Sequence, residues 1–541
     1  MTKENAMKST MQHQFSQVPH VNIQRSTFDR SHGHKTTFDA GLLVPFLVDE
    51  VLPGDTFAVN STIFVRMATP LVPIMDNLFL DTFYFFVPHR LVWANWVNFM
   101  GEEETPGDYV NNVVSYLTPQ VTTPAGGWTE KSIGDYFGLP TKINNLANAN
   151  AFAFRAYNDI FNEWFRDENL QTKLGFSTGP GPDAATSFVI AYRTKRHDYF
   201  TSALPWPQKG PGVSIPLGAQ APVKTLATDL VTGAQAGLRM LQAAAGAVPT
   251  SSRSIGTGAT SGNPVNENIT ATTPGAALYP SNLYADLSTA TAATINSLRQ
   301  AFQIQRLYER DARGGSRYTE LVRSHFGVTS PDARLQRPEY LGGGSQRIHI
   351  NPVTQTSASN TQPTPLGALA AFGTGASQSG FTKSFTEHGT IMGILNVRCE
   401  QTYQNGMNKM WNRRTRFDFY WPVLANLGEQ AILNREIYAQ GTVADDNVFG
   451  YQERWAEYRY KPNQVTGLFR SNATAPLDSW HLALKLTALP TLNASFIQEN
   501  PQMARVLAVP SQPHFLMDSF ISMRTTRPMP VYSVPGMIDH F

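Results

Sequence analysis

The chain has 541 residues, far above the ~250 at which a single hydrophobic core stops growing, so it holds several domains or one domain with long insertions. Charged residues make up 16% against roughly 25% in ordinary soluble proteins, and hydrophobic residues 41%, which excludes global disorder. Lys and Arg number 43 against 41 Asp and Glu, a net charge of +2 that excludes a polycation built to coat nucleic acid.

Residues 1–40 are polar, contain His13, His20, His32 and His34, and read as an extended N-terminal arm that orders against partners. They have no apolar h-region, so no secretory signal is expected, and apolar runs such as Leu42–Val48 are too short for membrane insertion. From Leu42 the texture becomes strand-like. Thr56–Met67 and Leu78–Val87 are rich in β-branched and aromatic residues and are bounded by Pro53, Gly54, Pro70, Pro73 and Pro88. Similar runs recur at Ile391–Cys399, Phe417–Trp421, Trp480–Leu486 and Phe515–Arg524. Strands drawn from both ends of the chain imply one sheet system interrupted by long excursions, rather than a row of small domains.

The excursions contain helices. Phe154, Tyr157, Phe161 and Trp164 fall at i, i+3, i+7 and i+10, one aromatic stripe of an amphipathic helix that packs on the core. Ile295, Leu298, Phe302 and Leu307 predict a second helix, stopped by Gly314-Gly315, and Arg90–Met100 a shorter third. Residues 209–290 differ from the rest: 49 of these 82 are Ala, Gly, Ser, Thr or Pro, and Tyr279 and Tyr284 are the sole aromatics. Such a segment cannot easily hold a core alone. It reads either as a linker or as a surface insertion ordered by neighbouring copies of itself, with a helix predicted over Asp229–Val248. A shorter polar stretch covers Asn351–Ser379.

Catalytic signatures are missing: the chain has no GxxxxGK[ST], no HExxH and no GxSxG. Gly342-Gly343-Gly344-Ser345 lacks the lysine of a phosphate loop and reads as a turn. His32-Gly-His34 is too sparse for a metal site, and no cofactor is expected. The lone cysteine, Cys399, excludes an intrachain disulfide, suits a reducing compartment and sits in an apolar run that predicts burial. Local charge is more informative. Residues 299–347 hold nine arginines against five acids. Between Gln401 and Trp421, Lys409, Arg413, Arg414 and Arg416 stand beside Tyr403, Trp411 and Tyr420, with Asp418 the single acid. Cations interleaved with rings suit single-stranded nucleic acid, charge for phosphates and flat faces for bases. Arginine and aromatic residues at a subunit interface fit both clusters as well.

Three blocks read together: RSTFDRSHGHKTTFDAGLLVPFLVDEVLPGDTF at Arg25–Phe57, ERDARGGSRYTELVRSHFGVTSPDARLQRPEYLGG at Glu309–Gly343, and GYQERWAEYRYKPNQVTGLFR at Gly450–Arg470. In them the chain resembles the major capsid proteins of the gokushovirus group of the Microviridae, small bacteriophages with circular single-stranded DNA. The resemblance implies a mainly-β protein, an eight-stranded antiparallel jelly roll of viral capsid type with long helical and loop insertions. It implies sixty copies in an icosahedral shell, made in the host cytoplasm and located in the virion. The expected divisions are 1–40 as arm, 41–208 as first strands with helical insertions, 209–290 as a threefold surface protrusion, and 291–541 as helix, arginine-rich loops and remaining strands. Expected partners are the chain itself, viral single-stranded DNA, a small basic DNA-binding protein, an internal scaffolding protein, a DNA pilot protein and a host surface receptor. DNA contacts are expected at Lys409, Trp411, Arg413, Arg414 and Arg416 and, from the arm, His32, His34 and Lys35. In the protrusion, Ala234, Leu238, Leu241 and Val248 would pack short helices between copies, and Ser251, Thr257 and Asn263 would lie in the exposed tip. A jelly-roll lectin or carbohydrate-active enzyme is the alternative from another class.

Overall fold

The strand-like runs alternate buried and exposed residues with a period of two, and that alternation sets the architecture. In the computed structural model, Thr56–Met67 buries Phe57, Val59, Ser61, Ile63, Val65 and Met67 on one face and exposes the intervening residues, apart from the half-buried Thr56, on the other. The structure describes residues 24–101, 117–213, 223–225, 238–243, 252–255, 277–280, 283–285, 295–315, 317–327, 335–357 and 366–532. They belong to two compact units, one of residues 1–207 with 315–541 and one of residues 208–314.

The first unit is built on β1 (Ser26–Asp29), β2 (His32–Phe38), β3 (Val44–Val51), β4 (Thr56–Met67), β5 (Leu78–Pro88), β6 (Glu339–Thr354), β7 (Leu369–Ser384), β8 (Gly389–Cys399) and β9 (Phe515–Arg527). All their pairings are antiparallel. β1 and β2 lie in succession along one edge of β9, so nine strands fill eight positions. The order is β1/β2, β9, β4, β7, then β6, β5, β8, β3. The two sets of four are joined by β6, which pairs with β5 over Glu339–Ile348 and then with β7 over His349–Thr354. This is the strand order of a jelly roll, with residues 89–338 as one excursion and 400–514 as the other.

The inner faces of the two sets share one core that includes Phe57, Ile63, Leu80, Tyr84, Phe86, Leu395, Val397, Met517 and Ile521. Each such side chain contributes roughly 1.5–3 kcal/mol by leaving water. The β6-β5-β8-β3 set is covered on its other face too, so β8 is buried at every position. That second cover is a cluster of Trp93, Trp128, Phe152, Phe154 and Tyr157 against Phe85, Val87, Met392 and Ile394. Its helix α1 (Phe152–Ile160) lies where the aromatic stripe predicts one and continues into a π turn at Phe161–Phe165; Phe154, Tyr157 and Phe161 are buried, whereas Trp164, the last ring of the stripe, is exposed. Arg155 is fully buried there, held by both oxygens of Asp183 at 2.7 and 2.9 Å and by the Val92 carbonyl at 2.9 Å. The other face of the β2-β9-β4-β7 set is open, exposing Phe64, Phe372, Leu516 and Phe520.

Several expectations are corrected. The arm does not run to residue 40: Ser26–Asp29 and His32–Phe38 are sheet strands, because β9 offers an unpaired edge. Residues 1–23 lie outside the described residues. Gly342–Gly344 is not a turn but the interior of β6, just past a bulge at Tyr340/Gly342. Asn351–Ser379 carries the end of β6 and most of β7 rather than a polar excursion. Phe417–Trp421 and Trp480–Leu486 lie in loops with short 3-10 turns rather than strands.

In the second unit, Ile295–Gly314 is a helix ending at the expected glycine. The helix predicted over Asp229–Val248 is overturned at Leu238–Ala243, a strand between Ser252–Ile255 and Ala277–Pro280. The run of small residues lets backbones approach as strands as readily as helices. Of the candidate contact residues, Leu238 and Leu241 lie on this strand; Ala234, Val248, Ser251, Thr257 and Asn263 fall outside the described residues.

Candidate assembly and nucleic-acid surface

The excursion between β8 and β9 carries the cation-aromatic segment. It rests on a small core of Tyr199, Phe200, Tyr403, Ile432, Ile437, Phe449 and Phe496. Above that core the chain turns three times in 3-10 conformation, at Lys409–Asn412, Arg416–Asp418 and Pro422–Leu424. The turns follow from local chemistry. Asn408 caps the first by accepting from the Met410 amide at 3.0 Å. Asp418 accepts from the Arg414 and Thr415 amides at 2.9 and 2.7 Å, and those bonds hold its carboxyl below the usual carboxylate range. The one acid of the segment is thus committed to the backbone and forms no ion pair with Arg414 or Arg416.

The five candidate residues divide. Lys409 turns inward, donating to the Ala431 carbonyl at 2.8 Å and lying 3.5 Å from Glu436. Glu436 is buried, which raises its carboxyl pKa, and the Tyr199 hydroxyl donates to it at 2.9 Å. Arg413 is also turned in, 3.3 Å from Glu457 and 4.1 Å from the centre of the Tyr458 ring. Lys409 and Arg413 are therefore structural cations, a correction to their reading as DNA contacts. Arg414, Arg416 and Trp411 are exposed, Trp411 at 71%, and neither arginine has an acidic partner among the described residues. Arg416 stacks 4.7 Å above the Trp421 ring.

The residues around β2 make contacts within their own sheet. Lys35 pairs with Asp518 at 3.1 Å across to β9. His34 is half-buried, and burial, then His32, pushes its pKa down, which disfavours its charged form. His32 Nδ1 lies 3.0 Å from the Arg30 carbonyl. No hydrogen bond or ion pair among the described residues joins this group to the Trp411–Arg416 segment.

Sequence reasoning passed over the partners of the segment: Trp455, Tyr458 and Arg454. Trp455 is buried with φ of 69°, an uncommon conformation for a bulky residue, and its indole donates to the Leu424 carbonyl at 2.9 Å. Tyr420 meets Trp455 edge-on at 5.6 Å, and Arg454 lies 4.4 Å over the same indole. The alternation of rings and arginines in GYQERWAEYRY was the available signal.

The buried ionisable groups build structure. Glu499 accepts from the Cys399 amide at 3.2 Å, and Lys195 donates to the Phe496 carbonyl at 2.7 Å. Burial raises the pKa of Glu499 and of Cys399 and lowers that of Lys195. Cys399 is buried as its apolar run predicts. Among the described residues no cluster of three or more His, Cys, Asp and Glu suits a metal ion. No helix there is long and apolar enough to cross a membrane.

Comparison with known proteins decides the family. Residues 16–537 match the family model described as Capsid protein (F protein). The chain belongs to that family of phage capsid proteins. Capsid protein VP1 of Bdellovibrio phage phiMH2K is 47% identical over 98% of both chains. The VP1 capsid proteins of Chlamydia phage 1 and Spiroplasma virus 4 are 44% and 37% identical over 99% of this chain and all of theirs. These are gokushovirus capsid proteins of the Microviridae. The capsid protein is accordingly a structural component of the virion rather than an enzyme, which sets aside the lectin or carbohydrate-enzyme reading.

Proposed function

We propose that the capsid protein assembles in sixty copies into a small icosahedral shell around a circular single-stranded DNA genome. The observation that carries this reading is the jelly-roll strand order in a chain that matches capsid relatives end to end. Exposed Trp411, Arg414 and Arg416 meet the genome at the inner surface, without sequence preference: two guanidinium groups for phosphates and one open indole face for a base. With a net charge of +2 the shell does not neutralise a genome by itself, so a small basic DNA-binding protein shares the task. An internal scaffolding protein guides assembly in the host cytoplasm, a DNA pilot protein accompanies the genome, and residues 209–290 project at the threefold axes to contact a host surface receptor.

Electron microscopy and mass measurement of purified particles test the shell. Sixty copies of 59.8 kDa come to about 3.6 MDa before DNA, and particles of any other copy number contradict the proposal. For the genome contact, R414A/R416A is expected to form shells with less packaged DNA. The salt dependence of subunit binding to single-stranded DNA should weaken by a log-log slope of roughly 1.4, about 0.7 per phosphate contact. Unchanged DNA content and slope would place the genome elsewhere.

A further inference from the structure

Beyond Arg416 the same surface changes character. Phe417, Phe419, Trp421, Val423, Leu427 and Tyr458 are all exposed, Val423 at 88% and Phe417 at 67%. Short contacts tie their segments together: Arg413 lies over both Phe419 at 5.6 Å and Tyr458 at 4.1 Å. Arg454 donates to the Phe417 carbonyl at 3.3 Å and, through its amide, to the Gly428 carbonyl at 2.8 Å beside Leu427. Val423 sits in the turn Pro422–Leu424, whose Leu424 amide donates back to the Trp421 carbonyl at 2.8 Å. Large side chains cover 150–250 Å² when buried, so these six expose on the order of 600 Å². A free monomer rarely leaves more than a few hundred Å² of contiguous apolar surface, and a stable interface takes roughly 800 Å² from each partner.

We infer that this patch is a contact between copies of the capsid protein, seated against a second copy rather than against the genome. The inference rests on the shell reading above and names one of its interfaces. Three observations favour a protein occupant. The exposed rings are already used from within: Arg413 lies over Tyr458 and Phe419 and Arg416 over Trp421, so faces that would stack on bases carry guanidinium groups of the same chain. Val423 and Leu427, among the most exposed residues of the patch, are aliphatic and have nothing to offer a phosphate or a base. The acids are consumed internally, Glu457 by Arg413 and Gln430 and Asp418 by backbone amides, leaving aromatic and arginine residues with few free carboxylates. That is the composition of the desolvated centre of a protein interface. Trp455, held in its left-handed conformation by bonds to Gln430 and Leu424, is the rigid floor that keeps the patch in one shape before the partner arrives.

The test places charge at the two aliphatic positions of the patch in the full chain. V423D/L427D changes two exposed side chains, so the subunit is expected to keep its thermal midpoint and its affinity for single-stranded DNA. Assembly into shells, read by sedimentation and electron microscopy, should fall at least tenfold. Normal shell yield would overturn the inference. So would shells of normal yield from a variant with weakened DNA binding, because that outcome makes the patch a genome surface. A second measurement does not depend on that variant's solubility. The only native cysteine, Cys399, is buried, so V423C can be labelled singly with a photo-crosslinker. Irradiated shells should yield crosslinked chain dimers, and crosslinks solely to DNA would overturn the assignment. Loss of DNA content in R414A/R416A with intact shells leaves this inference standing, so the two readings fail separately.

Discussion

At the scale of single residues, burial decides which titratable groups matter. His89 is enclosed at the start of the long excursion, its ring stacked on Phe152 at 4.3 Å and met edge-on by Trp96 at 4.6 Å. Its Nε2 lies 3.2 Å from the Thr390 hydroxyl, and its Nδ1 has no partner among the described residues. Desolvation, with a smaller contribution from His388, lowers its pKa from 6.5 to about 4. A folded-state pKa below the unfolded one gives stability that is fully present above pH 6.5 and lost as pH falls through about 4. At about 1.4 kcal/mol per pKa unit the effect reaches up to ~3 kcal/mol. Thermal unfolding of the subunit should therefore weaken between pH 6.5 and 4, and H89F should flatten that part of the profile even if its midpoint at pH 7 is lower. An unchanged slope would assign the acid sensitivity to other groups.

At the scale of elements, the β6–β7 pair shows how strands form from residues that carry little strand propensity. β7 reads LAAFGTGASQSGFTKS, yet it buries Ala371, Gly373, Gly375, Ser377, Ser379 and Phe381 in strict alternation. Its inner face is small because its neighbours are large. A side chain added at Gly373 would meet Met67 at 3.0 Å, and one at Gly375 would meet Ile348 at 3.1 Å. At Gly380 the obstacle is backbone: a Cβ there would fall 2.0 Å from the Val59 carbonyl oxygen. G380A is expected to destabilise the subunit by roughly 2 kcal/mol or more in urea unfolding, whereas Q378A, on the exposed face of the same strand, should stay within about 0.5 kcal/mol. Equal effects at the two positions would mean that the close approach is relieved by a shift of the strand.

At the scale of the whole molecule, the two long excursions divide the work. Residues between Val92 and Ala191 supply the cover that buries the second face of the β6-β5-β8-β3 set, and residues 400–514 supply the cation-aromatic surface. A sheet from both ends of the chain tolerates such insertions because closing a longer loop adds little entropy cost, about 0.6 kcal/mol per doubling. The second unit, residues 208–314, is compact by itself and contains the whole of the Ala-, Gly-, Ser- and Thr-rich segment. Exchange of residues 209–290 for the corresponding segment of a relative should change adsorption or host range while particles still form. Unaltered adsorption after the exchange would move receptor contact to another surface.

Much of this protein is written in short-range patterns. Thr56–Met67 is a strand because its apolar residues recur every second position, and Phe152–Ile160 a helix because its rings recur every third or fourth. Cys399 is buried because it ends an apolar run, and the three quoted blocks were enough to place the chain among phage capsid proteins. Patterns of this kind survive in one dimension since each depends on residues a few positions apart. What the tertiary structure alone decided depends on partners far away in the chain. Glu436 and Glu457 take Lys409 and Arg413 out of the candidate DNA surface from 27 and 44 residues away. β7 has no strand signature because Met67 and Ile348, not its own residues, fill the space beside it. Ser26–Phe38 joins the sheet because β9, almost 500 residues later, presents an edge to it. Composition supplies cations, rings and small residues; only the fold, by bringing distant acids, side chains and edges together, fixes which of them remain on the surface.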